Sequence, residues 1–208
     1  TDGHQYRTSS TTSTLATTST PGHSDFIINS NNYHWLTPQD DTLWQGVNGV
    51  NNPCPVGYRI PTETELNNER LSWGSNNAAG AFGSPLKFPL AGTRLGNGIL
   101  VREGNYAYYW SGTVSSASAT RTNNLFLGNS NALVSNSSRA GGMSVRCTKN
   151  IPLVYCTGGA TAIVDVTNPA TGKTWMDRNL GATQAALSST DTASYGDLYQ
   201  WGRLSDGH

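Results

Sequence analysis

The stretch "NPCPVGYRIPTETELNNERLSW", residues 52–73, changes character half-way. Its first half is Pro, Gly and Cys, the composition of turns. From Thr62 onward it reads as a helix. Thr62 and Glu65 have the Thr-x-x-Glu spacing of a capping box. Leu66 and Leu71 are expected to face a core, with the Asn and Glu residues toward water. A second helix is predicted over 192–202, "TASYGDLYQWG", with Leu198, Tyr199 and Trp201 on its apolar face and Gly202 ending it.

Between and beyond these helices the chain reads as short strands. "AIVDVTN" and "KTWMDRNLG" flank Pro169–Gly172 and predict a hairpin. "FPLAGTR", "GILVRE", "YAYYWSG", "NNLFLG", "NALVSN" and "MSVRCTK" follow one another between Gly, Asn and Ser turns. That pattern predicts an antiparallel meander with long polar loops. Many short strands with about two helices make the class α+β.

Composition narrows the setting. Of 208 residues, 13 are basic and 13 acidic, so the net charge is zero. A nucleic-acid surface needs a basic excess, which this chain lacks. Six Trp and nine Tyr can anchor a core, so disorder is not expected. Polarity comes from Ser, Thr, Asn and Gly, as in an exported, loop-rich β protein. No signal peptide and no apolar run of membrane-spanning length is visible. A mature fragment of a longer precursor, outside the cell or on its surface and not inserted in a membrane, accounts for this.

Cys54, Cys147 and Cys156 form no CxxC pair, which argues against zinc. One disulfide and one leftover thiol is the simplest reading. The Ser/Thr tract at 8–20 reads as a surface segment or a glycosylated stalk. "DTL" at 41–43 and "DTA" at 191–193 resemble an Asp-Thr-aliphatic O-glycosylation acceptor, which would place sugars on Thr42 and Thr192.

Six phrases carry a resemblance: "NPCPVGYRIPTETEL", "LKFPLAGTR", "YYWSGT", "GMSVRCTKN", "GKTWMDRNLG" and "YGDLYQWGR". Together they resemble the Fibrobacter succinogenes major paralogous domain family. The resemblance implies an exported bacterial domain with a C-type-lectin-like fold, related to the sulfatase-modifying proteins. It also implies that Cys54 and Cys147, in the "CP" and "VRC" phrases, pair. Cys156 would then be free, or would replace Cys54 as the partner of Cys147.

The phrases stand in a rotated order. In the family, "GKTWMDRNLG" and "YGDLYQWGR" come first and "SVRC" closes the unit; here the first two follow the third. Ser205–His208 nearly repeats Thr1–His4, and joining Arg203–His208 to Gln5 restores the family's run. The chain therefore reads as one period of a tandem array. Residues 1–149 would be the later part of one unit, 150–159 a joint, and 160–208 the opening part of the next.

Three topologies satisfy that order. The chain closes on itself as a circular permutant, completes the next unit of a longer chain, or completes a separate copy by strand exchange. The last two build a head-to-tail filament. In them Trp175, Leu180, Leu198 and Trp201 would bury in another unit. The expected partners are further copies of the chain, in a fibre, stalk or adhesin.

Enzymatic readings lack ingredients. His4, His23, His34 and His208 fall in polar stretches without a defensible catalytic set, so no enzyme is expected. No cysteine matches the sulfatase-modifying active site, so the resemblance does not carry that activity. Asp40–Asp41, Glu63–Glu65 and Glu103–Asn105 offer oxygen ligands to calcium, but the lectin-type calcium phrases are absent, and no cofactor is expected. The functional rival is glycan binding, in a monomeric, permuted module. Tyr106, Tyr108, Trp110, Arg121, Asn123, Asn124 and Arg139 supply aromatic faces and planar donors. The alternative for Tyr108 and Trp110 is burial in a strand of period two.

Overall fold

The structure, a computed structural model, describes residues 10–31, 34–150 and 163–203. In chain order its strands and helices are β1 (Thr11–Thr12), β2 (Phe26–Ile27), β3 (Tyr58–Arg59), α1 (Glu63–Leu71), α2 (Ala78–Gly83), β4 (Thr93–Arg94), β5 (Leu100–Val101) and β6 (Ala107–Val114). There follow β7 (Arg121–Leu127), β8 (Ala132–Ser138), β9 (Gly142–Met143), β10 (Thr148–Lys149), β11 (Asp165–Asn168), β12 (Lys173–Met176) and β13 (Tyr199–Gln200). The class is α+β, with mostly antiparallel pairing.

Helix α1 starts where its capping box stands. The Thr62 hydroxyl accepts from the Glu65 amide at 3.2 Å, and the Glu65 carboxylate accepts from the Thr62 amide at 2.9 Å. Burial alone would raise the Glu65 pKa. The Arg59 guanidinium, the Thr62 amide and Lys173 outweigh it and hold the group at about 2. Leu66 is buried, but Leu71 is 64% exposed and does not face the core. Five residues at about 100° each put the two on opposing sides of the helix.

The second predicted helix does not form. Residues 192–194 make a single 3-10 turn, and 199–200 are strand β13. Gly196 breaks the helix: its φ is +67°, and a Cβ there would lie 2.4 Å from the Leu180 carbonyl. The other helix, α2, has no apolar period to announce it. Its start is marked by Asn77, whose side chain accepts from the Gly80 amide at 3.1 Å.

Of the six phrases predicted to form one antiparallel meander, only β6, β7 and β8 do, and α1 lies against them; β4, β5, β9 and β10 pair in other sheets. Two four-stranded sheets run β11-β12-β10-β3 and β13-β9-β4-β5, and β1 pairs with β2 in parallel. One core gathers Trp35, Trp44, Trp110, Val145, Met176 and Trp201. A second, under α1, gathers Leu66, Phe88, Tyr109, Leu125 and Trp175.

Cys54 and Cys147 form the disulfide, with Cα atoms 5.9 Å apart across a separation of 93 residues. Cys156, and the joint apart from Asn150, lie outside the described residues. The hairpin β11–β12 also forms as predicted, and it settles on its own chain. Thr148 stands opposite Trp175, the Met176 amide donates to the Cys147 carbonyl at 3.0 Å, and the Leu180 amide donates to the Val145 carbonyl at 3.0 Å. Tyr199 stands opposite Met143.

Within the single chain, the parts before and after the joint pair with each other. Both build the same sheets. Trp175, Leu180, Leu198 and Trp201 are buried in the chain's own core, where backbone pairing on β9 and β10 places them.

Candidate functional site

The seam between 10–150 and 163–203 is held by buried hydrogen bonds from both sides. Tyr199 to Arg203, "YQWGR", are all buried. Tyr199–Gln200 is strand β13, and the chain then turns at 201–202, where the Arg203 amide donates to the Gln200 carbonyl at 3.1 Å. Body tryptophans take the carbonyls of residues 199, 201 and 203. Trp110 donates its indole N–H to the Tyr199 carbonyl at 2.6 Å, Trp35 to that of Trp201 at 2.7 Å, and Trp44 to that of Arg203 at 3.2 Å. Trp201 answers by donating to the Ser111 carbonyl at 3.0 Å. A buried indole needs a partner for its N–H, and this segment supplies one to each of the three.

The side chains between these carbonyls are held as tightly. The Gln200 amide donates to the carbonyls of Ile27 at 3.0 Å and Ala140 at 2.9 Å, and accepts from the Ile27 amide at 3.3 Å. Arg203 donates to the carbonyls of Asp25 at 2.9 Å and His23 at 2.8 Å, and to the Gln200 side chain at 2.9 Å. The pentapeptide sits in the body as a bound peptide would: backbone groups supply attachment, and Gln200, Trp201 and Arg203 supply selectivity.

Asp25 is where the two described ends of the chain meet. Ser10 donates its hydroxyl to the Asp25 carboxylate, while Arg203 holds the Asp25 backbone carbonyl. Ser10 also accepts from the Phe26 amide at 3.1 Å, so the entry to β1 and the exit from β13 converge beside β2.

The residues considered for glycan binding do not form one site. Arg139 is fully buried: its guanidinium lies 4.4 Å from the centroid of Trp201 and donates to Asp41 at 2.5 Å. Asn124 is also fully buried and donates to the Ser137 hydroxyl at 2.9 Å. Both are corrected to core residues: Asn124 points inward from β7, and Arg139 lies in the turn after β8, where it packs on Trp201. Arg121 and Asn123 are half-buried and spend donors on Asn136 at 3.2 Å and Glu63 at 2.5 Å. Tyr106 is 40% exposed and stacks on Phe126 at 5.6 Å, at the other end of β7 from Arg121. Trp110 is core, as alternation allowed; Tyr108 is half-buried.

The remaining candidates are placed as follows. Thr42 and Thr192 are both exposed, and the Thr42 hydroxyl donates to Asp40 at 2.7 Å. Among the described residues no group of three or more His, Cys, Asp or Glu side chains could hold a metal ion. No helix among them is long and apolar enough to cross a membrane.

Buried charge concentrates behind the seam. Burial, and then the neighbouring Arg139, lower the His34 pKa to about 4. Burial lowers Arg146 to about 10; its guanidinium donates to Asn179 at 3.0 Å and to the Leu86 carbonyl at 2.7 Å. Sequence reasoning missed His34, Arg146 and Arg203 as buried. The ten arginines against three lysines were the available signal, because a planar fork suits burial among carbonyls.

Comparison with family models, with curated proteins and with solved structures finds no match to this chain.

Proposed function

We propose that the chain is a non-enzymatic structural unit of an extracellular bacterial fibre, stalk or adhesin, made of repeated, closed beads. The bead is C-type-lectin-like: its opening hairpin β11–β12 and its closing strand β10 lie side by side in one sheet, as that fold requires. The observation that carries the reading is the meeting of Ser10 and Arg203 on Asp25. A chain running from 163 through 203 directly into 10 and on to 150 would make the same bead without a break. In an array, the bead then straddles two periods, and its partners are further copies of the chain. No cofactor enters this reading.

The second reading, a solitary permuted module that binds glycans, is favoured by the pairing of β12 with β10 inside one chain. Electron microscopy and light scattering on native material separate the two. Beaded or fibrous particles support the array. Compact monomers at every concentration overturn it and leave the solitary module.

A further inference from the structure

Five of the six tryptophans are buried to 1% exposure or less; Trp73 alone is half-exposed. It opens onto a cleft of about 380 Å³ at the C-terminal end of α1, also lined by Ser72, Gly74, Gly83, Ser84 and Asn168. No lining side chain of this cleft is charged. Across Ser72 lies a second cavity of about 420 Å³, lined by Glu65, Asn68, Leu71, Thr171 and Lys173 among others, where Lys173 and Glu65 pair at 2.9 Å. Volumes of this order suit small ligands.

The cleft is held rigid from behind. The indole of Trp73 donates to the buried Glu69 carboxylate at 3.2 Å and packs on Phe88 at 5.9 Å. Asn168 donates to the same carboxylate at 2.8 Å and to the Ser72 hydroxyl at 2.8 Å, and accepts from the Ala170 amide at 2.9 Å. The aromatic wall and the polar wall therefore share one buried anchor.

Two glycines keep the cleft open without a backbone reason. At Gly74 and Gly83 an added Cβ would meet nothing within 4 Å, and neither has a positive φ. Every other described glycine has a positive φ or a close neighbour. Gly80, in the same helix as Gly83, shows the contrast: its Cβ would lie 1.8 Å from the Ser75 carbonyl. A glycine in a helix costs stability relative to alanine, and at Gly83 neither packing nor a turn requires it.

We infer that this cleft binds a neutral carbohydrate, with one sugar ring stacked on Trp73 beside Gly74 and Gly83. A pyranose has an apolar face for the indole, and its hydroxyls can donate to the remaining lone pairs of Ser72 and Ser84, whose own protons go to the Glu69 and Ala81 carbonyls at 2.7 and 2.9 Å. The uncharged lining of the Trp73 cleft disfavours phosphate and carboxylate ligands, and in the second cavity Lys173 is already neutralised by Glu65. The second cavity extends the path, so the ligand is an oligosaccharide. The site is separate from the seam, and binding does not depend on whether copies assemble.

The test uses the whole chain and neutral gluco-, manno- and xylo-oligosaccharides on an array, followed by acrylamide quenching of tryptophan emission. Because the other five indoles are buried, quenching reports Trp73. The expected result is binding of at least one neutral class, with Trp73 protected on saturation. Gly74→Leu and Gly83→Leu fill the cleft and abolish binding without lowering Tm. No binding across the array, or binding only of acidic sugars, overturns the proposal. So does wild-type affinity in both leucine variants.

Discussion

Trp35 donates its indole N–H to the backbone carbonyl of Trp201 at 2.7 Å, across 166 residues of chain. It is one of three bonds in which body tryptophans hold the carbonyls of Tyr199, Trp201 and Arg203, along strand β13 and the turn that follows it. It makes the late segment part of the core rather than an appendage. Trp35→Phe keeps most of the ring and deletes the donor, leaving a buried carbonyl unsatisfied at a cost of about 1–3 kcal/mol. Trp201→Ala removes the ring and leaves a void, costing about 3–5 kcal/mol. Urea unfolding monitored by circular dichroism reads both, and Trp201→Ala should be clearly the worse.

Arg139 and Arg121 make a second comparison. Arg139 is buried over Trp201 and paired with Asp41, whereas Arg121 is half-buried on β7. Arg139→Ala should cost about 3 kcal/mol, chiefly through lost packing. Arg121→Ala should stay within about 1 kcal/mol. Equal losses in urea midpoints would contradict the burial described for Arg139.

Acid should destabilise the protein through His34. Its folded pKa, about 4, lies below its unfolded value of 6.5, because burial and Arg139 disfavour the charged imidazolium. Between those values the unfolded chain binds more protons, so stability rises with pH. The contribution is complete above pH 6.5 and is lost as pH falls toward 4, by about 3 kcal/mol at most. Glu65, depressed to about 2, adds its loss only below pH 4.5. Thermal melts from pH 4.5 to 7 should therefore slope in the wild type and flatten in His34→Gln.

The disulfide closes a loop of 93 residues between Cys54 and Cys147. Constraining a loop of that size in the unfolded chain is worth about 4 kcal/mol in the chain-entropy picture. Reduction, or Cys54→Ser, should lower the urea midpoint accordingly. Peptide mapping without reductant should recover the Cys54–Cys147 pair.

Rearranging the chain tests the bead itself. A protein beginning at 163, running through 208, rejoined at Gln5 and ending at 150 should fold as a monomer with the same disulfide. Its Tm should fall within about 5 °C of the parent, since every described strand pairing is kept. An insoluble product, or one that mispairs its cysteines, would show that the meeting at Asp25 does not define the unit.

Local structure was legible wherever it depended on neighbours in sequence. The Thr62–Glu65 capping box, the hairpin about Pro169–Gly172 and the three meander strands follow from cap geometry, turn residues and alternation over a few positions. The 192–202 segment misled because its apolar spacing suits a helix and a strand equally. Gly196, held at positive φ against Leu180, decided between them, and that contact joins residues 16 positions apart. Arg139 and Asn124 misled for a related reason: polar side chains signal exposure until a buried partner, Asp41 or Ser137, is seen.

By itself the sequence determined the α+β class, the start of α1, the strand-rich body and a core dense in tryptophan, since each rests on local pattern or on composition. Only the tertiary structure decided that residues 163–203 close on β9 and β10 of their own chain, which arginines are buried, and that Trp73 alone faces a cleft. Those outcomes depend on which surfaces meet after long stretches of chain, and local preference carries no record of distant partners.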